Sequence, residues 1–114
     1  MSMTAAPQEL VICDPTGEAE ARVSVGGHCR VRLSETPSTG YRWQSEFAES
    51  NLIQLLEVHY LPDEMGPGAG GKREFLFRAT HSGAVVIEFS LRRPWESGPP
   101  HQQRFLSISV FNPQ

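Results

Sequence analysis

Reactive and metal-ligating side chains are scarce in this sequence. Its two cysteines, Cys13 and Cys29, match neither a CxxC redox pair nor a zinc knuckle. Two readings stay open for them: small buried hydrophobes, or a disulfide if the chain is exported. The four histidines, His28, His59, His81 and His101, are scattered without the HxxxH-like spacing of a metal site. His28 and Cys29 are neighbours, but successive side chains of a strand face opposite ways, so they cannot form a nucleophile–base pair. No GxSxG elbow and no paired-carboxylate constellation occurs. These absences argue against hydrolytic and metal chemistry. They predict a binding protein rather than an enzyme, with no cofactor and no metal.

Charge of one sign is missing too. Thirteen acidic residues face ten basic ones, a net charge of -3, which gives no reason to expect nucleic acid or an anionic membrane as partner. Arg92 and Arg93 are adjacent, but two arginines are not a patch. No segment approaches the roughly 20 apolar residues of a membrane span. The first eight residues show no basic n-region and no apolar h-region. This predicts a cytoplasmic chain, or a periplasmic or secreted one if a cleaved signal once preceded it.

What is present is a period of two. Cys29, Val31 and Leu33 alternate with Arg30 and Arg32, and Tyr41 and Trp43 with Arg42 and Gln44. Leu56, Val58 and Tyr60 alternate with Glu57 and His59, and Phe75, Phe77 and Ala79 with Glu74, Leu76 and Arg78. Val85, Ile87, Phe89 and Leu91 form another such series, as do Leu106, Ile108 and Val110. Each stretch reads as a strand with one face packed and the other largely wet. Residues 10–12 and 23–25 add two short strands. Residues 47–55 are a weak helical candidate, read in preference as a strand lead-in or a single turn. Turn signals separate the runs, at residues 14–17, 26–27, 36–40, 66–71, 81–83 and 94–100. The pattern predicts an all-β, antiparallel sandwich of about seven to eight strands. At 114 residues the chain is one ordinary domain, spanning 1–114 with 1–9 as a loose N-terminal tail.

Three loops stand out. Gly66-Pro67-Gly68-Ala69-Gly70-Gly71-Lys72 matches both GxxxxGK and GxGxxG, yet Arg73 stands where a phosphate loop needs Ser or Thr. The residues that follow have strand rather than helix periodicity, so nucleotide binding is rejected. A flexible connector and a bare backbone lying against a partner both remain open for this loop. Thr36-Pro37-Ser38-Thr39-Gly40 is a turn that holds two small hydroxyls at its tip. Arg93-Pro94-Trp95 puts an indole at a loop tip, where it is either a binding hot spot or a cover over a sandwich edge.

Taken together and in order, these loops resemble the chagasin family of cysteine peptidase inhibitors, whose marks are NPTTG before an aromatic residue, GxGG and RPW. Here they read Thr36-Pro37-Ser38-Thr39-Gly40-Tyr41, Gly68-Ala69-Gly70-Gly71 and Arg93-Pro94-Trp95, and the resemblance runs from about residue 20 to 110. Thr36 replaces the family's leading Asn, Ser38 replaces its first Thr, and Pro67 precedes the glycine motif. The resemblance implies an immunoglobulin-like sandwich whose three loops form a wedge entering the cleft of a papain-like, cathepsin L-like peptidase. It implies a monomer that binds reversibly and non-covalently. The peptidase-binding set it implies is Pro37, Ser38, Thr39 and Gly40 over the catalytic pair, then Gly68, Ala69, Gly70 and Gly71 along the cleft. Arg93, Pro94 and Trp95 complete the set on the far flank, with Arg93 as a buttress. The competing reading is a binding or adhesion module of the same fold without inhibitory activity.

Overall fold

The computed structural model describes residues 9–48, 51–63 and 70–113. Eight strands follow in chain order: β1 Glu9–Cys13, β2 Glu18–Ser24, β3 His28–Glu35, β4 Arg42–Phe47, β5 Ile53–Pro62, β6 Gly71–Ala79, β7 Gly83–Arg92 and β8 Gln102–Phe111. They form two four-stranded sheets, ordered β1-β3-β6-β5 and β2-β8-β7-β4. The all-β, eight-stranded sandwich is the architecture that the period of two predicts. Of the expected N-terminal tail, residues 1–8 lie outside the described residues, and Glu9 already opens β1.

The core is the set of inward-phase residues from both sheets. Val31, Leu33, Phe75 and Phe77 come from the first sheet, and Ile87, Phe89, Leu106 and Ile108 from the second. Phe89 crosses Phe75 edge to face at 5.2 Å between centroids, so an aromatic contact joins the sheets. Each of these side chains contributes about 1.5–3 kcal/mol through burial.

Three details depart from simple alternation. The edge strands β1 and β2 pair in parallel with β3 and β8; from β1 to β5 the chain changes sheets after every strand, so each edge strand lies beside a neighbour it does not follow directly. In β5 the register slips between Leu55 and Glu57. Leu56 is therefore a bulge residue rather than part of the inward row with Val58 and Tyr60. Leu55, Leu56 and Val58 are all partly exposed at this sheet edge. Residues 47–55 hold no helix where they are described: Phe47 ends β4, and Ile53 begins β5.

The third departure concerns polar groups. Glu74 faces outward yet is buried, because Arg30, Arg32 and His59 from the flanking strands close over its carboxylate at 2.9, 2.6 and 3.1 Å. Cys29 is buried as expected, whereas Cys13 is exposed, and both are free thiols. Cys29 pairs with Leu10 across β1 and β3, which leaves Cys13 three residues away along the strand, about 10 Å. That separation exceeds what a disulfide spans without backbone movement.

Candidate functional site

Strand register brings the three loops to one end of the sandwich. Glu35 ends β3 opposite Gly71, Pro62 ends β5 opposite the same Gly71, and Arg92 ends β7 opposite Arg42. Segments 36–41 and 93–101, and the two described ends of the glycine loop at Asp63 and Gly70, therefore lie at the same end of the two sheets.

The first loop is a single 3-10 turn, Pro37–Thr39. Pro37 presets the turn, and Gly40 leaves it with φ 82°, a left-handed conformation that favours glycine. The amides of Thr39 and Gly40 donate to the carbonyls of Thr36 and Pro37 at 3.1 and 2.9 Å. The Thr39 hydroxyl donates to the Thr36 carbonyl at 2.7 Å and accepts from the Tyr41 amide at 3.3 Å. The brace is thus supplied by Thr39. Thr36, standing in place of the family's Asn, makes no side-chain cap to the turn.

The third loop leans on the first. Arg93 donates through Nε to the Thr39 carbonyl at 3.0 Å, and its guanidinium lies 4.4 Å from the Tyr41 ring centre. Tyr41 also stacks on His101, at 4.6 Å between centroids. The indole of Trp95 covers the Cα of Gly40 so closely that a Cβ there would strike the ring. Trp95 nevertheless remains 71% exposed. The indole therefore rests on the neighbouring loop and still presents most of its surface to solvent. Around the base of this loop, Tyr41, Arg92, Arg93, Glu96, Gly98 and His101 line an open pocket of about 180 Å³.

Gly68 and Ala69 lie outside the described residues. The base of their loop is closed where the Asp63 amide donates to the Gly70 carbonyl at 3.0 Å. Gly70 sits against Thr36, so the glycine loop and the first loop touch. Gly71 is buried at the start of β6, where a Cβ would collide with the Leu61 carbonyl and crowd the Tyr60 hydroxyl. Packing alone therefore requires glycine at that position.

Beneath the loops lies a residue that the sequence reading did not single out. The Glu35 carboxylate, 1% exposed, accepts from the Trp43 amide at 2.8 Å and from Arg73 at 2.6 and 3.3 Å. Trp43 also donates its indole N–H to the Ser34 carbonyl at 2.8 Å. The signal was present in the alternation. Glu35 falls in the inward phase of Cys29, Val31 and Leu33, and Arg73 in that of Phe75 and Phe77, so two opposite charges point inward on paired strands. Among the described residues, no group of three or more His, Cys, Asp or Glu is placed to hold a metal.

The description "Chagasin family peptidase inhibitor I42" belongs to the family model that matches residues 22–110. The chain belongs to the chagasin family. Its members are peptidase inhibitors rather than enzymes. Several solved structures share its fold. The cysteine protease inhibitor EhICP2 from Entamoeba histolytica is 21% identical, with a TM-score of 0.76 over 92% of this chain and 99% of that one. Amebosin is 24% identical, with a TM-score of 0.71 over 90% and 98%. PbICP-C, in complex with falcipain-2, is 16% identical, with a TM-score of 0.66 over 90% and 98%. No curated protein matches the chain. The matched residues 22–110 span all three loop motifs.

Proposed function

We propose that this chagasin-family inhibitor is a monomer that blocks papain-like, cathepsin L-like cysteine peptidases by inserting its three loops into the active-site cleft. The observation that carries this reading is the convergence of the loops at one edge, with Trp95 largely exposed yet seated on Gly40. In this reading Pro37, Ser38, Thr39 and Gly40 cover the peptidase's catalytic pair. Residues 68–71 run along the cleft, and Trp95 stacks on the far flank with Arg93 and Pro94 behind it. The occurrence of PbICP-C in complex with falcipain-2 supports a cysteine peptidase as the kind of partner.

The mechanism follows from rigidity. Inhibition here needs no nucleophile and no cleaved bond; it needs a shape that stays in the cleft. Each internal hydrogen bond of the first loop, and the Arg93 bond that ties the third loop to it, reduces the freedom lost on binding. An interface of roughly 800 Å² per partner, anchored by one exposed indole, is consistent with nanomolar affinity.

The test is titration of the purified protein against papain and cathepsin L with a fluorogenic substrate. Tight, reversible, stoichiometric inhibition is expected. A folded sample that inhibits neither enzyme at micromolar concentration refutes the cathepsin L-like target.

A further inference from the structure

We propose that Glu35 is a positioning residue for inhibition: its single buried carboxylate clamps the bases of the first loop and the glycine loop and fixes one against the other. The inference rests on the loop-wedge reading above.

The geometry is specific to that task. Glu35 is the last residue of β3, directly before the first loop, and Trp43 lies just beyond that loop's end in the other sheet. The contact from the Glu35 carboxylate to the Trp43 amide therefore closes the loop across its base. The second oxygen takes Arg73, two residues past Gly71, where the chain comes out of the glycine loop. The Glu35 carbonyl lies within 3.4 Å of the Tyr60 hydroxyl, on the strand that enters that loop. One residue thus touches both ends of both loops. The same oxygen that receives the Trp43 amide is also shared with Arg73 Nε, so neither base shifts without disturbing the other.

Stability alone does not explain an ion pair here. A buried pair is commonly replaced by apolar side chains of similar volume at no cost to stability. Apolar replacements would fill the space but fix no direction. A carboxylate accepting from a backbone amide and a guanidinium at once fixes both distance and angle.

Three variants separate the roles: Glu35→Gln, Arg73→Met and the double variant. In the double variant the introduced glutamine amide still offers an acceptor to Trp43, and no charge is left unpaired. Two measurements are made on folded protein. Hydrogen exchange compares the Thr39, Gly40 and Asp63 amides with core amides at Val31 and Phe77, and stopped-flow gives dissociation rates from papain. The expected result for the double variant is retained core protection, with loop amides exchanging about ten-fold faster and dissociation about ten-fold faster. Loop exchange unchanged from wild type, or dissociation within about two-fold of it, overturns the proposal. Should the double variant not fold, Glu35→Gln alone decides by the same two criteria. Should wild type itself fail to inhibit papain, the target reading fails for that enzyme, and the exchange comparison still decides the role of Glu35.

Discussion

Gly40→Ala tests whether the two loops are mechanically one body. Gly40 has φ 82°, and an L-residue in that region costs about 1–2 kcal/mol. The new Cβ also lands on the Trp95 ring, so the indole must leave. Trp95 is 71% exposed, so roughly three-tenths of a surface of about 200 Å² is covered, or about 60 Å². At about 25 cal/mol per Å², displacement costs up to about 1.5 kcal/mol. Gly40→Ala should therefore destabilise wild type by about 2–3 kcal/mol, but a Trp95→Ala background by only the backbone share of about 1–2. Urea melts of the four proteins give the coupling, expected near 1 kcal/mol. Papain inhibition should show the same pattern: each single variant is weaker, and the double is no worse than the weaker single. Free energies that add to within about 0.3–0.5 kcal/mol would mean that the indole does not rest on Gly40, and the single-body argument would fall.

Other outcomes are equally concrete. Thr39→Ala removes the hydroxyl that braces the first turn; inhibition should weaken by about 1–3 kcal/mol, against about 0.5–1.5 kcal/mol in urea stability, and equal losses would identify Thr39 as structural only. Gly71→Ala should lower stability by about 1–3 kcal/mol because its Cβ meets the Leu61 carbonyl; an unchanged melting temperature would contradict the close approach. Burial pushes the Glu74 carboxyl upward, but hydrogen bonds from Arg32 and Arg30 outweigh it and hold it below the ordinary carboxylate range. A depressed carboxylate contributes stability that is fully present above the unfolded value, about pH 4.3, and lost as pH falls through the folded one. Urea midpoints should thus decline on acidification in wild type and decline less in Glu74→Gln; parallel curves would remove Glu74 from the acid response. Burial raises the Cys29 thiol to about 11, while Cys13 is exposed. A thiol reagent at pH 8 should therefore label one cysteine in native protein and two in denaturant, and rapid native labelling of both would show that Cys29 is open.

The parts legible in the sequence were those with local signatures. Alternation located the strands, since a side chain's face follows from its own neighbours. The three loops were visible because Pro, Gly and an isolated Trp mark turns and tips by themselves. What stayed hidden depends on pairing. The Leu56 bulge exists only relative to β6, and the parallel partners of β1 and β2 follow from which strand lies next in space. Glu35 drew no notice in the sequence, because its role depends on Arg73 standing beside it on β6. Alternation gave Glu74 its outward phase but not its burial, which comes from long neighbouring side chains folding over it.

The direction of the strands has a practical consequence. β1 begins beside the start of β3, and β8 ends beside the Ser24–Val25 bend. Glu9 and Phe111 therefore both lie at the pole opposite the three loops. A tether attached beside Glu9 or Phe111 would hold the molecule by its handle and leave the pole of the proposed wedge facing outward. Beads, surfaces and multivalent chains of such units should keep full blocking power, and linking several on one scaffold raises effective local concentration. An insertion at Ser97 or Gly98 would put the cargo among the loops of the proposed wedge.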